Sequence, residues 1–135
     1  MMGKNEKAVL FVCVENSNRS QMAEAFARIH GDNHLRAFSA GSNPSGKVNP
    51  KAIQAMSEKG YDLSWHRSKP FADLPDLRFD YVITMGCGDN CAHIPAQRRE
   101  EWALPDPKAM PSEEFNRVRD EIESRILALL NRLIV

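Results

Sequence analysis

Ala8 to Val14 reads Ala-Val-Leu-Phe-Val-Cys-Val, an almost unbroken apolar run rich in β-branched side chains. Such a run predicts a central parallel strand buried on both faces. From Ser20 the period changes. Met22, Phe26 and Ile29 recur at i, i+4 and i+7, which predicts an amphipathic helix whose C-cap is Gly31. Leu35 to Ala40 predicts a shorter, edge-like strand, and Gly41 to Gly46 a loop. Asn49 is placed to cap a second helix with Pro50 in its first turn, Ala52, Ile53 and Met56 inward and Gly60 closing it. Phe79 to Met85 predicts a second buried strand, and Glu101 to Leu104 a short fourth. Pro111 and Ser112 precede a long helix with one apolar stripe: Phe115, Val118, Ile122, Ile126, Leu129 and Leu133. Strands alternating with helices predict an α/β fold with an open parallel sheet, which binds ligands at the carboxyl ends of its strands.

With 135 residues, 42% of them hydrophobic and 27% charged, the chain suits one domain over residues 1–135. Eighteen basic and eighteen acidic residues cancel, so no global field draws the protein to nucleic acid or to a membrane. An anion site must be local. No apolar stretch approaches the ~20 residues that span a bilayer, and Met1 to Lys7 is short and polar with no signal-peptide pattern. Three cysteines are an odd number and too few for a disulfide framework, so reduced thiols in a cytoplasm are expected.

The chemistry concentrates between the first strand and the first helix, where Cys13 to Ser20 reads Cys-Val-Glu-Asn-Ser-Asn-Arg-Ser. A loop wrapped at a helix N-terminus turns backbone N–H groups inward, and the helix dipole adds about half a positive charge. Val14, Glu15, Asn16, Ser17, Asn18, Arg19 and Ser20 would thus enclose a tetrahedral oxyanion. Arg19 can grip two oxygens through its planar fork, and Ser20 can donate to the Cys13 sulfur, both favouring the thiolate as a nucleophile. Asn16 would hold the loop shape. No Gly-Lys-Ser/Thr follows, so the loop is not a nucleotide-binding P-loop.

Phe11 to Ala25 (FVCVENSNRSQMAEA), Thr84 to Cys91 (TMGCGDNC) and Leu104 to Pro107 (LPDP) together resemble the thioredoxin-coupled arsenate reductases, which share a fold with low-molecular-weight protein tyrosine phosphatases. The resemblance implies a four-stranded parallel sheet with helices on both faces. It implies that Asp106, between two prolines, is the general acid. It also implies a relay in which Cys13 attacks arsenate, Cys87 attacks the Cys13 sulfur, and Cys91 attacks Cys87. The final disulfide would be reduced by thioredoxin, with the enzyme itself a monomer.

Other readings stay open at this level. A phosphatase needs only Cys13, Arg19 and Asp106, because water hydrolyses its thiophosphate intermediate. In the phosphatases the residues after this Asp-Pro are usually aromatic, whereas here they are Lys108-Ala109-Met110, which weighs against an aryl substrate. Cys13, Cys87, Cys91 and His93 could form a zinc set in a non-catalytic sensor, or Cys87 and Cys91 could be packing residues. Some relatives hold potassium through oxygens corresponding to Asn16, Glu24 and Ser39 plus an aspartate whose place here is Lys69, so an ammonium could replace the ion. Glu15 puts a carboxylate in the anion loop, which costs affinity unless it points away or meets a cation. His30, His34 and His66 are expected at the surface or at helix ends, and Trp65 and Trp102 in packing roles.

Overall fold

The computed structural model describes residues 6–86 and 94–134. Strands β1 (Lys7–Cys13), β2 (Leu35–Gly41), β3 (Phe79–Thr84) and β4 (Ala96–Glu101) alternate with helices α1 (Arg19–Gly31), α2 (Pro50–Ser57) and α3 (Ser112–Ile134). The sheet order is β2-β1-β3-β4 and every pairing is parallel. The chain leaves β1 for one neighbour through α1 and later returns to the other side as β3. The crevice beyond the carboxyl ends of β1 and β3 is therefore the switch point where such sheets take ligands.

Side chains of β1 alternate strictly between two cores, as a central strand requires. Val9, Phe11 and Cys13 face a cluster built with all three α-helices, including Met22, Phe26, Met56, Ile122 and Ile126. Ala8, Leu10 and Val12 face the opposite cluster with Phe79 and Val82, covered by Phe71, Leu74 and Leu77 around a 3-10 turn at Phe71–Asp73. The expected stripe of α3 is the buried one, with Leu133 partly buried at its end. Asn49 caps α2 by accepting from the Lys51 N–H at 3.0 Å.

Four expectations are corrected. The fourth strand is not Glu101 to Leu104 but Ala96–Glu101, whose sequence AQRREE is mostly exposed. Trp102 and Leu104 are buried as expected of apolar residues, but in the segment that leaves the sheet. Ile29 is 39% exposed, because α1 turns its alanines inward and is covered on nearly all sides from Arg19 to Ala27. Gly31 ends α1 without serving as its left-handed cap: Asn33 has the positive φ, of 76°. A Cβ on Gly31 would lie 2.9 Å from Leu35 Cγ and 3.0 Å from Leu130 Cδ2, so close packing explains this glycine. Trp65 is 59% exposed and lies against Tyr61, His66 and the Arg28 guanidinium rather than in the core.

Candidate active site

Residues Cys13 to Asn18 form the turn between β1 and α1, and their carbonyls are all directed into protein. Those of Cys13, Val14, Glu15 and Ser17 accept from the backbone N–H groups of Ser42, Asn43, Ser45 and Asn49 at 2.8–3.3 Å. The carbonyl of Asn16 accepts from Gln21 Nε2 at 3.0 Å. Asn16 adopts φ of 53°, a left-handed conformation that asparagine tolerates better than most residues. Turning the carbonyls outward leaves the N–H groups to face the concavity, and Asn18 makes no side-chain cap at the start of α1. In sequence, Gly41 to Gly46 read only as a loop and Asn49 only as a helix cap, with no sign that they shape the anion cradle.

The cradle encloses about 240 Å³ and is walled by the loop, Cys13, Arg19, Gly86 and Asp106. Cys13 is a free thiol, 3% exposed, at the end of the buried strand. Its sulfur lies 2.9 Å from Ser20 Oγ, which accepts from Asn16 Nδ2 at 2.7 Å. Asn16 and Ser20, expected among the substrate-binding residues, are fully buried behind the cavity rather than on its wall. Asn16 Oδ1 in turn accepts from Gln21 Nε2 at 2.9 Å and from the Lys69 N–H at 3.0 Å.

Arg19 is buried and donates from Nη1 to the Leu104 carbonyl at 3.0 Å. Its guanidinium rests against Gly86, which has φ of +83°; a Cβ there would collide with Nη1. Asp106 reaches to 4.0 Å from Arg19 Nη2 with its own side chain 57% exposed. The turn that carries Asp106 is fixed by the Lys108 N–H donating to Asp106 Oδ1 at 3.1 Å, and by Lys51 Nζ donating to the Met110 carbonyl at 2.8 Å. A nucleophile, an anion clamp and a carboxyl thus converge on one small cavity. Glu15, the unexpected acid of the loop, meets a cation: its Oε2 is 3.0 Å from Lys108 Nζ.

His66 corrects another expectation. It is buried, with Nδ1 2.8 Å from Gln21 Oε1 and Nε2 2.7 Å from the Tyr61 hydroxyl. An amide oxygen only accepts, so Nδ1 carries the hydrogen, and a neutral ring then accepts from Tyr61 at Nε2. Burial pushes the His66 pKa down against the pull of the Glu24 carboxylate, and raises that of Tyr61 to about 12. The chain Tyr61, His66, Gln21, Asn16, Ser20 leads to the Cys13 sulfur, and sequence reasoning missed its first three members.

The oxygens considered for a potassium ion are engaged by protein groups. Ser39 donates to Glu24 Oε1 at 2.6 Å, Arg28 donates to Glu24 Oε2 at 2.8 Å, and Lys69 Nζ lies 3.4 Å from Ser39 Oγ and 3.2 Å from the Arg67 carbonyl. Burial lowers the Lys69 pKa, with Glu24 opposing the shift. Cys87, Cys91 and His93, the other members of the zinc set considered with Cys13, lie outside the described residues. Among the described residues no group of three His, Cys, Asp or Glu could hold a metal, and no helix is long and apolar enough to cross a membrane.

The family model described as low molecular weight phosphotyrosine protein phosphatase matches residues 8–134. Arsenate reductase 2 of Staphylococcus epidermidis is 41% identical over 133 residues, covering 95% of this chain and 99% of the relative. An arsenate reductase of Staphylococcus aureus is 41% identical over 125 residues, covering 90% and 94%. Among solved structures, an arsenate reductase in the phosphate binding state superposes with a TM-score of 0.83 at 36% identity, covering 94% of this chain and 98% of the other. The thioredoxin-dependent arsenate reductase of Corynebacterium glutamicum gives a TM-score of 0.78 at 33% identity, covering 97% of this chain and 63% of that one.

Proposed function

Because the chain belongs to the low molecular weight phosphotyrosine protein phosphatase family, with relatives named arsenate reductase at 41% identity, we propose that it reduces arsenate to arsenite through Cys13, Cys87 and Cys91. The observation that carries this reading is a nearly inaccessible nucleophile in an oxyanion-sized cradle, walled by Gly86, the last described residue before Cys87 in the chain. A sulfur at that depth is out of reach of a protein reductant, so further thiols must carry its oxidation outward.

The Cys13 thiolate attacks arsenic while the loop N–H groups and Arg19 hold the oxyanion, and Asp106 gives its proton to the departing oxygen, which leaves as water. The Cys87 thiolate then attacks the Cys13 sulfur. The sulfur–arsenic bond breaks, its electron pair stays on arsenic, and arsenite leaves with a Cys13–Cys87 disulfide behind. Cys91 attacks Cys87, freeing the Cys13 thiolate and forming a Cys87–Cys91 disulfide. A thioredoxin dithiol reduces that bond and supplies the two electrons. The protein acts as a cytoplasmic monomer, and the Lys69 ammonium takes the place of a bound potassium beside the loop.

Arsenite release measured with thioredoxin, thioredoxin reductase and NADPH tests the reading. Wild-type protein turns over continuously, and Cys91→Ser stalls after about one arsenite per enzyme. Sustained turnover by Cys91→Ser overturns the relay. Phosphate shares the shape and charge of arsenate, so slow phosphomonoester hydrolysis is compatible with this assignment. A fast hydrolysis indifferent to loss of Cys87 and Cys91 makes the protein a phosphatase instead.

A further inference from the structure

Glu15 belongs to the anion loop and Lys108 to the turn that carries Asp106, 93 residues later, yet their side chains meet at 3.0 Å. Glu15 lines two spaces: the cradle of about 240 Å³ and an adjoining groove of about 470 Å³ beside Lys108, Pro50 and Lys51. The ion pair therefore lies on the border between them. One end of this partition is anchored on the acid's own turn, through the bond from the Lys108 N–H to Asp106 Oδ1.

In an in-line displacement the departing oxygen lies opposite the attacking sulfur, at the carboxyl that protonates it. When the substrate is a free oxyanion that oxygen carries nothing but hydrogen. In a phosphomonoester it carries the organic substituent, which has to leave the cradle past Asp106, beside the turn whose Lys108 reaches across to Glu15 on the cradle wall. Displacing Lys108 to admit the substituent would also uncover the Glu15 carboxylate beside the substrate's own negative charge. Steric closure and charge act in the same direction.

We propose that the Glu15–Lys108 ion pair determines specificity, disfavouring phosphomonoesters in the cradle relative to free inorganic oxyanions. The inference rests on the assignment of inorganic arsenate as the substrate. Both side chains are partly exposed, at 37% and 60%, so the pair adds little to folding and its removal leaves a folded protein to assay.

The measurement is the ratio of two quantities: kcat/KM for p-nitrophenyl phosphate, and the affinity of inorganic phosphate as a competitive inhibitor. In the double variant Glu15→Ala with Lys108→Ala the ratio rises about tenfold or more. The exchanged pair, Glu15→Lys with Lys108→Glu, returns it toward the parental value. A ratio unmoved in the double variant, or one that stays high in the exchanged pair, overturns the proposal. Neither quantity draws on Cys87 or Cys91, so the ratio remains readable if the parental protein releases no arsenite, an outcome that overturns the reductase assignment instead.

Discussion

The Ser20 hydroxyl lies 2.9 Å from the Cys13 sulfur, and its oxygen already accepts a hydrogen bond from Asn16 Nδ2. When Cys13 is a thiolate its sulfur can only accept, so the hydroxyl hydrogen points at it and stabilises the negative charge. Ser20→Ala is expected to slow both iodoacetamide alkylation of Cys13 at neutral pH and arsenite formation by about 10- to 100-fold, with the fold unchanged. An alkylation rate equal to that of the parent would show that the loop amides and Arg19 suffice without this hydroxyl.

Asp106 is held at the cavity by its bond from the Lys108 N–H while its carboxyl stays open to solvent, which suits a group that must exchange its proton in each turnover. Asp106→Asn is expected to lower kcat by about 10²- to 10³-fold with a smaller change in KM. Steady-state kinetics separate the two. A rise in KM with kcat preserved would make Asp106 a binding group only.

His66 is buried and its pKa is pushed below the ordinary histidine value by desolvation. The folded protein therefore refuses a proton that the unfolded chain accepts. This contribution to stability is fully present above the unfolded value of about 6.5 and is lost as pH falls through the lower folded value. His66→Gln removes that linkage, so the urea midpoint of the variant declines less than that of the parent from about pH 7 to about pH 5. Parallel declines would assign the acid sensitivity to other groups.

The Lys69 ammonium lies 3.4 Å from Ser39 Oγ, near the Glu24 carboxylate that Arg28 pairs on its other oxygen. Lys69→Ala is expected to cost about 1 kcal/mol of stability in sodium buffer. The vacated space between Ser39, Glu24 and Asn16 then suits a cation with oxygen ligands, and potassium is expected to restore activity better than sodium does. Thermal melts and arsenite assays in the two salts check this. Equal behaviour in both would separate the lysine from any cation role.

How far the chain could be read in advance follows from where its information lies. β1 and α3 are legible because burial imposes a period on them, continuous in one and helical in the other. β4 is not, because an edge strand of exposed polar residues is specified by its hydrogen bonds to β3, which leave no hydrophobic trace. The nucleophile, the clamp and the serine share one short loop, so their spacing alone exposes them. Glu15 and Lys108, or Gln21 and His66, become neighbours only after the turns beyond the sheet come together. Histidine composition misleads for the same reason: His66 is buried by partners 45 and 5 residues away.

Arg19 grips three separate parts of the protein: it opens α1, presses on Gly86 after β3, and donates to the Leu104 carbonyl in the segment after β4. Loops at this end of the sheet are consequently not interchangeable modules. Transplanting the segment around residues 104–110 from a relative to broaden the substrate range would also loosen the arginine that holds the substrate. An engineer seeking new specificity here does better with side chains at the rim, leaving the backbone that Arg19 braces intact.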